Sequence, residues 1–151
     1  MATTIAADAA GNVGVSAQAA REAAWTVEIC GTLSAAESAW RELEGAGALL
    51  SPYGRFDWVQ AFVEAVSYPA AVRVIVARDR AGRPVMALPV LLSRRNGARL
   101  ARSVGGKHSN YNLPAMRPDW AAALSPAAAR DLLREAGRQL GIDAFTMINA
   151  P

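Results

Sequence analysis

A chain of 151 residues is about one domain's worth, long enough to bury roughly two thirds of the surface its unfolded form exposes. At 52% hydrophobic and 19% charged it lies far from the composition of disordered chains, and one cysteine with one histidine excludes a disulfide framework and a zinc centre. The net charge of +3 conceals an uneven layout: from Arg73 to Lys107 nine basic residues face the single acid Asp79, a local net of +8 that leaves −5 for the remainder.

Residues 1–22 are mostly Ala, Gly, Ser and Thr and read as a flexible N-terminal tail ahead of one folding unit over 23–151. The tail lacks the basic segment and continuous apolar run of a secretory signal. No later run reaches the roughly 20 apolar residues that span a bilayer, so a soluble cytoplasmic protein with no membrane partner is expected. "WTVEI", 25–29, alternates apolar and polar residues as a half-buried strand does, and Cys30 after it reads as a small buried hydrophobe. Ser34 and Glu37 have the spacing of a capping box, and Ala36, Trp40 and Leu43 then share a helical face as far as Gly45 and Gly47. "SPYGR" is turn chemistry, followed by a helix with Asp57 in its first turn and Phe56, Val59, Phe62, Val63 and Val66 at helical spacing. That spacing assigns Trp40, Phe56, Trp58 and Phe62 to the core, whereas Trp25 and Trp120 suit either a sheet cap or a cleft wall.

"AVRVIVARD" places Val72, Val74 and Val76 on one face of a strand, and the "DRAG" turn leads into "PVMALPVLLSRR", apolar enough for burial on both faces. Pro89 has no N–H for the ladder, so a bulge or a local loss of pairing is expected there. Asn96-Gly97 is a strong hairpin signal and introduces a third strand, "ARLARSV". "RPDWAAAL" reads as one helical turn. Ser125 as N-cap and Pro126 at the first position then open a helix with Ala129, Leu132, Leu133, Ala136 and Leu140 on its apolar face, closed by Gly141. "DAFTMIN" is a last strand.

The resulting order, β-α-α-β-β-β-α-β, makes this an α/β protein with a mixed sheet, in which the last helix crosses over between two parallel strands. The final strand is apolar with nothing after it to flank it, so the fold is expected to be incomplete at its C-terminus.

"GGKHSNYNLP", 105–114, holds the chain's one lysine and one histidine side by side, followed by amides and a phenol. Two readings stand. In the first, Gly105 and Gly106 permit a tight turn of positive φ while the Asn side chains and Tyr111 satisfy the polar groups of a long loop. Alternatively the loop lies at the carboxyl end of a strand, where open α/β sheets bind ligands, and Lys107, His108, Asn110, Tyr111 and Asn112 contact substrate. His108 is then the candidate catalytic residue, because an ordinary imidazole titrates near ~6.5 and removes a proton from an amine or hydroxyl at neutral pH.

The element order, together with "SPYGRFDWVQAFVEAV", "RPVMALPVLLSRR" and "VGGKHSNYNLPAMRPDW", resembles the N-terminal half of the GNAT-type acetyltransferases associated with bacterial cellulose biosynthesis, relatives of the Fem-type aminoacyl transferases. The resemblance spans residues 25–151. It implies two GNAT-like halves in tandem, the second carrying the acyl-CoA site and the first, to which this chain corresponds, helping to form the acceptor cleft. The implied reaction is acyl transfer from acetyl-CoA or another acyl-CoA to an amine or hydroxyl on a small or polymer-linked acceptor. A working GNAT half has an R/Q-x-x-G-x-G/A loop directly before its third helix. Here Arg102 and Gly105 keep that spacing, but Lys107 replaces the last small residue, and about twenty residues separate the loop from Pro126. The chain is therefore expected to bind no cofactor itself and to be inactive without a partner half.

The rival reading is a non-catalytic binding module, its basic hairpin meeting an anionic partner or its last strand pairing with another chain. The same arginines also suit solvated edge positions that discourage aggregation. The basic stretch has no interleaved aromatic residues or recognition motif, which argues against nucleic acid.

Overall fold

The computed structural model describes residues 2–6, 25–66, 71–109 and 111–148. Among them seven strands form one mixed sheet. They are β1 (Ala2–Ala6), β2 (Trp25–Cys30), β3 (Val72–Asp79), β4 (Pro84–Arg95), β5 (Ala98–Ser103), the two-residue β6 (Ala115–Met116) and β7 (Ala144–Ile148). The order across the sheet is β1-β7-β5-β4-β3-β2, with β6 on the free length of β4. All neighbours are antiparallel except β5 and β7, the parallel pair joined by the predicted helical crossover.

Helices α1 (Leu33–Gly45) and α2 (Phe56–Ala65) lie on one face; the short α3 (Pro118–Ala123) and α4 (Pro126–Leu140) follow β6. Val72, Val74 and Val76 of β3 pack with Ala36, Trp40 and Leu43 of α1 and with Phe56, Val59 and Val63 of α2. On the opposite face Ile75 and Ala77 pack with Leu88, Val90, Ala101 and Phe145 and with Leu132, Ala136 and Leu140 of α4. The alternation of β3 thus feeds two cores, one on each side. The continuous apolar run of β4 follows from the same arrangement, since its residues from Pro84 to Leu91 are buried. Trp40 is fully buried, donates its indole N–H to Gly54 O at 3.1 Å, and meets Phe56 edge-on with centroids 5.6 Å apart. Trp25 and Trp120 are half-buried against the α4-side core.

The punctuation behaves largely as its chemistry dictates. Asn96 and Gly97 both have positive φ, 51° and 85°, which suits the two-residue turn between β4 and β5. Ser125 accepts from Ala128 N at 3.2 Å, and Gly141 closes α4 in the left-handed region at φ 61°. In the turn before β4, Asp79 Oδ1 accepts from the N–H groups of Ala81 and Arg83. Burial works to raise the Asp79 pKa, but the Arg83 guanidinium and these two N–H groups outweigh it and hold the carboxyl below its ordinary value. Cys30 is buried, and burial, followed by the Glu28 carboxylate, pushes its thiol pKa up.

Three expectations change, and a fourth is met in one of its two forms. Thr32, not Ser34, caps α1: its extended backbone lets the hydroxyl accept from Ala35 N at 3.1 Å, and Glu37 pairs with Arg41 instead. The register runs unbroken through Val74↔Pro89, and the irregularity falls at Ala77/Arg78. No bulge forms at Pro89, but the expected local loss of pairing is present on the other side of β4, where β5 pairs only from Val90 and β6 only at Met86–Ala87, so the missing N–H falls in a gap between partners. Residues 2–6, assigned above to a tail, form β1 and pair with β7 from Ala2↔Ile148 to Ala6↔Ala144; residues 7–24 lie outside the described residues. The last strand is therefore not an edge. Among the described residues no helix is long and apolar enough to cross a membrane, and no cluster of His, Cys, Asp or Glu is suited to a metal ion.

Candidate functional site

The polar loop lies at the carboxyl ends of β5 and β7, the parallel pair. These strands are in register from Leu100↔Ala144 to Arg102↔Thr146 and then part. Beyond that point Ile148 N approaches Ser103 Oγ at 3.5 Å. Asn112 reaches across the opening, its amide nitrogen donating to Ile148 O at 2.6 Å and Gly106 O at 3.4 Å. The crevice left between the strand ends, lined by Leu88, Pro89, Ser103, Asn112 and Met147 with Tyr53 and Tyr111, holds about 20 Å³. That is room for about one water.

Gly105 sets the course of the loop. Its φ of 91° is open only to glycine, and a Cβ there would lie 2.9 Å from Ser109 Cβ and 3.0 Å from Trp58 Cη2. Residues 106–108 form a single 3₁₀ turn in which His108 N donates to Gly105 O at 2.8 Å. Ser109 is fully buried, and its hydroxyl and that of Ser51 converge on Tyr111 O at 3.1 and 2.9 Å. Two serines distant in sequence thus pin the peptide between Tyr111 and Asn112 and leave the Tyr111 side chain 55% exposed.

Of the sequence-derived site residues, His108 and Tyr111 are exposed at this surface. His108 lies beside Phe62, with ring centroids 6.1 Å apart and planes tilted by 45°. Asn112 is buried with its amide N–H groups engaged by backbone carbonyls, so it shapes the loop. The Lys107 side chain and Asn110 lie outside the described residues. Arg102 is exposed on β5.

An aromatic row escaped the sequence reading. Trp58 and Phe62 are partly buried, unlike Trp40 and Phe56, and stack with centroids 5.1 Å apart and planes at 13°. Tyr53 meets Trp58 edge-on at 5.2 Å, so Tyr53, Trp58, Phe62 and His108 form a continuous wall along the loop. Phe56, Val59 and Val63 occupy the buried face of α2. Trp58 and Phe62, one turn apart and about 100° away from Val59 and Val63, fall on a flanking face, and that offset was the available signal.

Close backbone approach at Gly105 is taken by the chain's own Trp58 and Ser109, and the opening between β5 and β7 is closed by Asn112. At the other end of β5, the hairpin presents Arg94 and Arg95, exposed and without an ion-pair partner among the described residues.

Comparison with known proteins gives a bounded result. No family model matches the sequence, and no curated protein does. Among solved structures, L-PGS from Bacillus licheniformis is similar over 99% of this chain at a TM-score of 0.56 and 16% identity. The chain spans about half the length of that protein, 46% of it. At that identity the likeness establishes architecture alone: a mixed α/β fold of GNAT-like kind.

Proposed function

We propose that this chain is the acceptor-side half of a GNAT-type N- or O-acyltransferase, with the acyl-CoA site supplied by a second GNAT-like unit. The observation that carries the reading is the likeness over nearly the whole chain to about half of L-PGS, with its GNAT-like fold. The filled space beside Gly105 supports placing the acyl donor elsewhere. In this reading His108 takes the proton from an acceptor amine or hydroxyl as that group becomes a nucleophile, and Tyr111 orients the acceptor. Lys107 and Asn110 join the acceptor contacts, while Asn112 holds the loop. The acceptor enters along the wall of Tyr53, Trp58 and Phe62. The specific relationship to cellulose-associated acetyltransferases is part of the same proposal, resting on the three sequence phrases that carry the resemblance.

Titration of acetyl-CoA into the purified 151-residue protein, followed by amide NMR and by free-thiol release, tests the division of labour. The expected result is no saturable binding below millimolar concentration and no turnover. Micromolar binding with shifts confined to Val104–Ser109 and the start of α4 would overturn it.

A further inference from the structure

The hairpin end of the sheet holds a second cavity, about 240 Å³, lined by Leu92, Ser93, Arg94, Arg99, Leu100 and Ile142. It is some tenfold larger than the strand-end crevice and just below the roughly 300 Å³ at which small-molecule pockets begin. Its charge is unusual for this protein. Arg41, Arg78, Arg83, Arg117, Arg134 and Arg138 each face a carboxylate. Arg94 and Arg99 instead face one another, directly opposite in the β4–β5 register, a placement that costs stability for like charges. No acidic side chain lines the cavity.

Arg99 is held in place. Its Nη2 donates to Leu140 O at 3.2 Å, satisfying the C-terminus of α4, and its backbone N–H donates to Asp143 Oδ2 at 2.7 Å. The Asp143 carboxylate is thereby engaged by backbone. Arg94, with no ion-pair partner among the described residues, is the adjustable member, and Arg95 falls on the opposite face by the alternation of the strand. Leu92, on the same face of β4 as Arg94, and Ile142 add an apolar floor beside the two guanidiniums.

We infer that this cavity binds a phosphomonoester carrying a short apolar tail, with Arg94 and Arg99 clamping the phosphate and Leu92 and Ile142 receiving the tail. Two guanidiniums match the charge of a phosphate dianion, whereas a carboxylate would neutralise only one, and the planar N–H fork of arginine suits bidentate contact with phosphate oxygens. The site lies at the opposite end of β5 from the polar loop and stands independently of the acyltransferase reading.

The test is calorimetric titration of the full chain with inorganic phosphate and with n-butyl phosphate at constant ionic strength. Saturable binding is expected, with butyl phosphate at least tenfold tighter than phosphate. Arg94→Ala should weaken it at least tenfold without lowering the melting temperature, since it also relieves the like-charge pair with Arg99, and Arg94→Lys should restore part of the affinity. Absence of saturable binding, or affinity unaltered in Arg94→Ala, overturns the site; equal affinity for the two ligands overturns the apolar floor. Co-sedimentation with phosphatidylcholine vesicles with and without phosphatidate separates the sources of the phosphate. Arg94-dependent co-sedimentation assigns a lipid headgroup, and its absence alongside butyl phosphate binding assigns a soluble ester.

Discussion

At Gly105 two constraints coincide, a φ of 91° and a neighbour 2.9 Å from the position of a Cβ; at Gly106, with φ 47°, nothing lies within 4 Å of that position. The pair separates conformational strain from crowding. Gly106→Ala should cost about 1 kcal/mol, the ordinary penalty for a left-handed non-glycine residue. Gly105→Ala should cost at least about 2 kcal/mol, because Trp58 and Ser109 must also yield. Urea denaturation of the two variants measures both, and equal losses would show that the Trp58 contact does not constrain the loop. The sequence marked this pair as permissive for a tight turn. It gave no sign that an indole from α2 would fill the space, because that contact joins residues 47 positions apart.

Among the elements, β1 changes the meaning of β7. The final strand looked unflanked because the sequence after it is short, yet its partner comes from the opposite end of the chain. Ile148 N and O turn toward Ser103 and Asn112, so by alternation the N–H groups of Phe145 and Met147 face β1. Deleting residues 1–6 should therefore raise amide exchange at Phe145 and Met147 at least tenfold, with Ile75 and Val76 in the buried β3 unaffected, as read by hydrogen–deuterium exchange. Unchanged protection at β7 would mean that β1 adds nothing to the sheet in solution. A strand made of Ala and Thr with one Ile has too weak a pattern to identify itself, and only the waiting edge of β7 gives it a partner. By contrast α4 was legible from cap to cap, since Ser125, Pro126 and Gly141 act through local geometry alone.

For the whole molecule, the two cores share β3 and β4 and should not melt separately. Trp40→Ala opens a cavity on the α1 side and loses the bond to Gly54 O, at a cost of about 3–5 kcal/mol; Leu132→Ala on the α4 side should cost about 2–5 kcal/mol. Both variants should show one cooperative transition by circular dichroism and by tryptophan fluorescence alike. Two separated transitions in either would divide the fold into independent layers. The candidate site and the arginine cavity lie at opposite ends of β5 within this one unit, so ligand binding at either should raise the same transition.

What the sequence determined by itself is what depends on near neighbours: the helical and strand periods, the Asn96-Gly97 turn, the α4 caps, the double-sided burial of β4 and hence the mixed α/β layout. The tertiary structure alone decided that Asn112 closes the strand ends, that Trp58 occupies the flank of Gly105 and that residues 2–6 complete the sheet. Each of those contacts joins side chains or strands whose separation in sequence carries no periodic signal, and each exists only because the sheet brings its two ends and both chain termini into register.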